Sequence, residues 1–202
     1  GIAAGHTDNG KGIASLGYNC SILPVKSKRD GEGDNARITA GPEGVEYAIA
    51  SGADVINLSW GGPGSSIFDR RLYRQAQDQG ITVIAAAGNE NVSTTSYPAG
   101  YTEVLSVGAL ARNGRSKASY SNFGSWVDIM APGSIVSTYI LGASTYFSID
   151  GTSMACPMAA GSAAALVQGY IDTSQTYAAE DLMTRIFNHA DDSEKQLYNE
   201  SG

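Results

Sequence analysis

The segment DGTSMACPMAAGSAAAL, from Asp150 to Leu166, predicts a buried helix that begins close to Ser153. Most of its residues are Ala, Gly, Ser and Met, which let a helix pack closely and hold the serine rigidly. Pro157 has no N–H to donate to the carbonyl of residue 153, so it is tolerated only near the start of a helix. Ser153 would then lie where free N–H groups and the positive end of the helix dipole favour developing negative charge.

This segment alone leaves two interpretations of Ser153 open. In one, its hydroxyl is a nucleophile, and the helix start stabilises the negative charge that develops beside it. In the other, it is an ordinary Ser or Thr N-cap on a buried helix. The rest of the chain has to separate them.

Short β-branched runs alternate with helical patterns in the remainder of the sequence. Strands are predicted for residues 21–26, 53–59, 81–87, 103–109 and 126–131. Amphipathic helices are predicted from Pro42 to Ile49, from Phe68 through Leu72 to Ala76, and from Ala179 to Phe187. This alternation predicts an α/β fold in three layers, with a mostly parallel sheet between helices on both faces.

Glycine and polar residues follow two of the predicted strands, in NLSWGGPG (57–64) and AAAGNEN (85–91). Ligands of open parallel sheets bind beyond the carboxyl ends of the strands. Either stretch alone is typical of an ordinary turn. Together with the segment around Ser153, they indicate a functional site.

Composition narrows the classes of partner. The chain has 202 residues, 42% of them hydrophobic, which is enough to bury one core. Its 13 basic and 20 acidic residues give a net charge of −7, which argues against binding to nucleic acid. Cys20 and Cys156 cannot build a disulfide framework and are predicted to be free thiols. No apolar run reaches the ~18 residues of a membrane helix, so no membrane partner is expected.

Several motifs resemble those of the subtilisin-like serine proteases, in the order in which that family carries them. GTSMACPMAAG (151–161) resembles the nucleophile motif, with Met158 where the family commonly has a histidine outside its catalytic triad. INLSWGGP (56–63) resembles the substrate-binding strand, AAAGNE (85–90) the oxyanion segment, and SYPAGYTEVLSVGA (96–109) the Tyr-Pro loop with the next strand. GIAAGHTDNGKGIASLGYN (1–19) resembles the segment after the catalytic histidine.

The resemblance implies a serine endopeptidase that binds extended polypeptides and hydrolyses them through an acyl-enzyme. Ser153 would be the nucleophile, and Asn89 would donate its side-chain amide to the oxyanion. The implied substrate-binding residues are Ser59, Trp60 and Gly61 on one edge, Gly31, Glu32 and Gly33 on the other, and Ala86, Ala87 and Gly88 in the specificity pocket. For Glu32, a solvated acidic loop is the alternative.

The family needs no cofactor for catalysis. The resemblance suggests a structural calcium ion at the loop after the catalytic histidine, where Thr7, Asp8 and Asn9 offer oxygen atoms. A plain polar turn is the alternative, and His6 beside it is predicted to be a surface residue.

The general base is not found in this sequence. Neither His6 nor His189 lies in a motif like the family's H-G-T-H-V-A-G, which would precede IAAG. We therefore expect residues 1–202 to form part of a catalytic domain that is incomplete at both ends. Its catalytic His and Asp would lie upstream, and the chain alone would be inactive. The family implies a secreted monomer.

Other classes of function make different demands on the sequence. A pseudo-protease or peptide-binding module would keep the cleft without the chemistry. A nucleotide-binding domain would need G-x-G-x-x-G between a first strand and helix, which is absent. GTSMA does not match the G-x-S-x-G of α/β-hydrolases.

Overall fold

The structure, a computed structural model, describes residues 1–32, 37–139 and 145–189. Its helices and strands, in chain order, are α1 (Gly41–Ala50), β1 (Val55–Leu58), α2 (Ile67–Asp78), β2 (Thr82–Ala86), β3 (Val104–Leu110), β4 (Ile129–Pro132), β5 (Ser134–Thr138), β6 (Tyr146–Asp150), α3 (Thr152–Asp172) and α4 (Ala179–His189).

Strands β1 to β4 form one sheet in that order, and all three neighbouring pairs are parallel. Alternate residues of β2 point to opposite faces of this sheet. Ile84 and Ala86 pack in the core beneath α3, and Val83 and Ala85 pack in the core beneath α1 and α2. The predicted three-layer α/β architecture, with helices on both faces, is confirmed.

The register brings the polar stretches after β1 and β2 together. Leu58 lies opposite Ala85, so Ser59 and the residues after Ala86 leave the sheet at the same edge. The parallel arrangement therefore places the two predicted turns side by side.

Helix α3 crosses the middle of the sheet and contacts all four of its strands. Ala155, Cys156 and Ala163 have no exposed surface. By length and apolar composition alone α3 could span a membrane, but its small residues instead fill the core of this fold.

The first turn of α3 follows the prediction made from Pro157. The helix begins at Thr152, so the hydrogen bond that Pro157 cannot donate would have gone to the carbonyl of Ser153. The hydroxyl of Ser59 donates to that carbonyl instead, at 3.1 Å. A side chain at the end of β1 thus replaces the missing helical bond.

Both cysteines are free thiols, as predicted. Burial raises the pKa of Cys156 to about 12, so this thiol stays protonated. Its Sγ lies near the carbonyls of Leu58 and Ile84. The Tyr97–Pro98 peptide bond is cis.

The strand prediction for residues 21–26 is wrong, because this segment forms no strand. It lines a cavity of about 880 Å³ whose other wall is β1, and α1 and α3 close the remaining sides. Within the described part of the chain, β1 is an edge strand paired only with β2. A β-branched run without a strand beside it has no ladder to join.

Two other features differ from the sequence predictions. β5 and β6 form an antiparallel hairpin, with Ser134 opposite Asp150, that the residue pattern did not predict. In α2, Leu72 and Ala76 are buried as expected, but Phe68 is 63% exposed. The core beneath this helix takes Tyr73 in its place, because only the later turns of α2 reach it.

Candidate active site

Ser153 is the second residue of α3, at the carboxyl edge of the sheet. Its hydroxyl donates a 3.1 Å hydrogen bond to the carbonyl of Ser59. The N–H groups of Met154 and Ala155 turn back to the carbonyl of Gly151, whereas the N–H of Ser153 has no partner among the described residues. The hydroxyl therefore lies beside an unused backbone donor and the positive end of a helix that is 21 residues long.

Asn89 follows β2 and faces the start of α3. Its Oδ1 accepts two hydrogen bonds from Thr152, one from the N–H at 2.8 Å and one from the hydroxyl at 3.0 Å. The same hydroxyl accepts the N–H of Gly88 at 3.1 Å. Since Oδ1 is occupied, Nδ2 is the group that Asn89 can offer to a ligand.

A cavity of about 470 Å³ lies between these two residues and the segment after β1. It is lined by predicted site residues and by others that were not predicted: Trp60, Gly61, Gly62, Pro63, Ala86, Gly88, Asn89, Glu90, Val92, Thr94, Thr95, Ser96, Asn122, Thr152 and Ser153. Six of the residues predicted for the site thus share one cavity. Ser59 is tied to it through its hydrogen bonds with Ser153.

The remaining predicted residues lie elsewhere. Ala87 is fully buried in a core cluster with Leu110 and Val127, so its side chain does not face the cavity. Gly31 is exposed and Glu32 is half-buried in a turn, where the hydroxyl of Thr39 donates to the Glu32 carboxylate. Gly33 lies outside the described residues.

Three residues that hold this site together, Thr152, Asn122 and Glu90, were not predicted from the sequence. Thr152 holds the side chain of Asn89 from the start of α3, and Asn122 donates to the carboxylate of Glu90 at 2.8 Å. Glu90 follows Asn89 directly, and Thr152 precedes Ser153. Their position next to a predicted site residue could therefore have identified both from the sequence. Asn122 lies in the sequence SNFG, which is typical of a turn and gave no signal.

No general base contacts Ser153 in the described part of the chain. The sequence has two histidines: His6 is exposed in the first loop, and His189 is the last residue of α4. The hydroxyl proton of Ser153 is held by a neutral carbonyl, which cannot take it away.

The loop at residues 7–9 fits a calcium ion poorly. Asp8 is its one carboxylate, and Asn9 Oδ1 accepts the N–H of Lys11 at 2.9 Å. The hydroxyl of Thr7 donates to the carbonyl of Gly5. No group of three or more Asp, Glu, His or Cys side chains that could hold a metal ion occurs among the described residues.

Comparison with known proteins shows which family this chain resembles. The model of the subtilase family matches residues 1–202. The chain is 43% identical over 167 residues to a thermophilic serine proteinase of Bacillus sp. (strain AK1), covering 82% of this chain and 40% of that protein. It is 41% identical over 192 residues to thermitase of Thermoactinomyces vulgaris, covering 95% of this chain and 65% of thermitase. The chain thus spans about half the length of these relatives.

A solved structure agrees with the sequence comparison. A protease from Pseudoalteromonas arctica PAMC 21717 superposes with a TM-score of 0.80 at 30% identity, covering 93% of this chain and 61% of that structure.

Proposed function

Because this chain belongs to the subtilase family, we propose that it is the part of a serine endopeptidase that carries the nucleophile and the oxyanion donors. The observation that supports this most directly is the pairing of Ser153 and Asn89 in one cavity. In the described part of the chain, the backbone N–H of Ser153 and the side-chain NH2 group of Asn89 have no hydrogen-bond partner. Two donors that border one cavity suit an oxygen that gains negative charge.

The proposed reaction proceeds through an acyl-enzyme. Ser153 Oγ attacks the carbonyl carbon of the scissile peptide bond, and its proton passes to a base. The negative charge moves to the carbonyl oxygen, which accepts from Ser153 N–H and Asn89 Nδ2. The intermediate then expels the amine, which takes the proton from the base, and water hydrolyses the ester by the same route.

The base and the carboxylate that orients it are proposed to come from the upstream part of the whole protein. The cavity beside β1 supports this arrangement. All pairs in the sheet are parallel, so a further strand in that cavity would run parallel to β1 and end near Ser59. Ser59 bonds Ser153, and a residue after such a strand would therefore come close to the nucleophile.

Extended polypeptides are the proposed substrates. With the described residues, Trp60 and Gly61 make no backbone hydrogen bond, so their N–H and C=O groups are open to a peptide chain beside the cavity. Such pairing is how proteins bind peptides as an added strand. The same role for Gly31, Glu32 and Gly33 stays a prediction, as do a secreted location and a monomeric state.

The test compares the whole protein with its Ser153→Ala variant. Wild type should cleave a peptide substrate and react with a serine-directed phosphonate, and the variant should do neither, because it has no nucleophile in the cavity. Phosphonate labelling of the variant at the wild-type rate would refute the assignment. Wild type that binds extended peptides but does not cleave them would be a peptide-binding module instead.

A further inference from the structure

The amide of Asn122 is buried behind the segment that carries Asn89. Its residue is 1% exposed and lies between β3 and β4, outside the motifs that identified the site. A buried amide needs partners for two donors and for its oxygen, so the direction of its hydrogen bonds shows what it holds.

Among the described residues, every hydrogen bond of this side chain goes to the segment 87–92. Oδ1 accepts the N–H groups of Glu90 and Val92, each at 3.1 Å. Nδ2 donates to the carbonyl of Ala87 at 2.9 Å and to the carboxylate of Glu90 at 2.8 Å. The backbone N–H of Asn122 adds a bond to the carbonyl of Gly88 at 3.0 Å. One amide thus bonds the segment on both sides of Asn89.

Gly88 allows this close approach. Its φ of +106° lies in the region that favours glycine, and a Cβ at this position would collide with Nδ2 of Asn122. The chain therefore turns tightly around the amide just before Asn89. Asn89 is consequently fixed from two directions, by Thr152 at its own Oδ1 and by Asn122 through the backbone on either side.

A second residue anchors the same segment. The ammonium of Lys117 donates to Asn91 Oδ1 at 2.7 Å and to the carbonyl of Ser121 at 2.9 Å. Ser121 precedes Asn122, so this ammonium joins the chain just after Asn89 to the loop that carries the amide. The loop and the segment form one hydrogen-bonded unit.

We propose that Asn122 is a positioning residue for peptide hydrolysis, which holds Asn89 where its Nδ2 meets the oxyanion. This inference rests on the proposed function of Ser153 and Asn89. Asn122 touches no reacting atom in this scheme. Its effect on the rate passes through Asn89, because a donor must be fixed before the charge develops in order to stabilise it fully.

The test is a double-substitution cycle in the whole protein, with kcat and KM measured on a peptide substrate. Asn89→Ala should lower kcat by roughly 10²–10³ with little change in KM, as expected for loss of one oxyanion donor. Asn122→Ala should lower kcat by roughly tenfold or more, with KM within about threefold. In the Asn89→Ala background, Asn122→Ala should lower kcat by less than about twofold, since the group it positions is gone.

Ser121→Ala is the matched control. This neighbouring hydroxyl is equally buried. It accepts the N–H of Ala109 in the sheet and donates to the backbone carbonyl of Asn122, but it makes no bond to the segment 87–92. Its loss should lower the melting temperature without lowering kcat. Where Asn122→Ala fails to fold, Asn122→Ser, whose hydroxyl can accept one of the two N–H groups, gives the same cycle.

The outcomes separate the two proposals. If the fold-decreases in kcat of the two single variants multiply in the double variant, the role of Asn122 is overturned and that of Asn89 is left intact. A rise in KM with unchanged kcat in Asn122→Ala would do the same. Unchanged kcat in Asn89→Ala, or an inactive wild type, would overturn the proposed function and this inference with it.

Discussion

At the scale of single residues, the groups proposed for chemistry are held by neighbours that do none. Thr152 binds the oxygen of Asn89 with both its N–H and its hydroxyl, and so turns the nitrogen of that amide away from itself. Ser59 holds both the hydroxyl and the carbonyl of Ser153. The orientation of each functional group is thus set by the residue opposite it.

Asp128 is the residue whose titration should be visible in the stability of the fold. Burial raises its pKa to about 6, and the hydrogen bond from the N–H of Ser106 offsets only part of that effect. The folded carboxyl keeps its proton to a higher pH than the unfolded one, whose pKa is about 3.9. This group therefore lowers stability progressively as the pH rises from about 4 to about 6.

We expect Asp128→Asn, which keeps an acceptor for Ser106, to be more stable than its parent at pH 7. The difference should be at most about 3 kcal/mol and should vanish below about pH 4, because the parent carboxyl is then neutral in both states. Urea unfolding across this range, in the Ser153→Ala background to prevent self-digestion, measures it. The exposed Asp172→Asn is the control. A difference that grows towards acid pH would contradict the assignment.

At the scale of secondary-structure elements, an ion-pair cluster joins α2 to β3. Glu103 is 2% exposed and accepts hydrogen bonds from Arg70 at 3.1 Å and from Arg74 at 2.7 Å. Burial alone would raise the pKa of this carboxyl, but the bonds from Arg74 and Arg70 outweigh it, so the pKa is lowered. A charged Glu103 therefore stabilises the folded state.

Glu103→Gln should destabilise the fold by about 2 kcal/mol at pH 7, because it removes charged hydrogen bonds at a buried position. Its folded-state pKa is lowered, so the parent's advantage is full above the unfolded pKa of about 4.3 and is lost as the pH falls further. Urea unfolding at pH 7 and pH 3 tests both points. Glu43→Gln, in the exposed pair with Arg29, is the control and should give no measurable change.

An element could be predicted from the sequence where its own residues determine its structure. It could not be predicted where its structure depends on pairing with a distant segment. β1 to β4 were predicted because their runs are rich in β-branched and other apolar residues, and β2 and β3 are buried along their whole length, as parallel strands between two helical layers require. Residues 21–26 have a similar run but no strand beside them, which no local pattern can reveal. β5 and β6 were missed because serines interrupt their apolar residues.

The same reasoning applies to the site. Ser153 and Asn89 lie in distinctive motifs. Adjacent parallel strands bring Ser59 and Asn89 to one edge of the sheet, and α3, which crosses the sheet, places Ser153 beside Ser59. Asn122 is 33 residues beyond Asn89 and meets it only through the fold, so its role depends on tertiary contacts.

At the scale of the whole molecule, the proposed nucleophile and oxyanion donors lie together, but the described residues place no base beside them. The described residues bring no histidine or carboxylate to the hydroxyl of Ser153, and β1 borders a cavity of about 880 Å³ on its open side. This arrangement agrees with the proposal that the base comes from outside these residues.

The isolated 202-residue chain should therefore hydrolyse peptides at no more than a trace rate, whereas the whole protein should be active. A fluorogenic peptide assay on the two proteins at equal concentration measures this, with the Ser153→Ala form of each as the blank. Robust hydrolysis by the isolated chain that depends on Ser153 would contradict the prediction, because it would require a base within residues 1–202.

Because Ser59 donates a hydrogen bond to the carbonyl of Ser153, the stability cost of a substitution at position 59 depends on which residue occupies position 157. Ser59→Ala should cost about 1 kcal/mol or more while Pro157 is present, because the carbonyl then has no donor. In a Pro157→Ala background, the restored N–H can bond that carbonyl, so Ser59→Ala should be nearly neutral. Unfolding free energies of the four proteins of this cycle measure the dependence, and equal costs in both backgrounds would refute it. The two positions should thus show epistasis: a lineage that keeps the proline is confined to a hydroxyl donor at position 59, and one that first loses the proline is released from it.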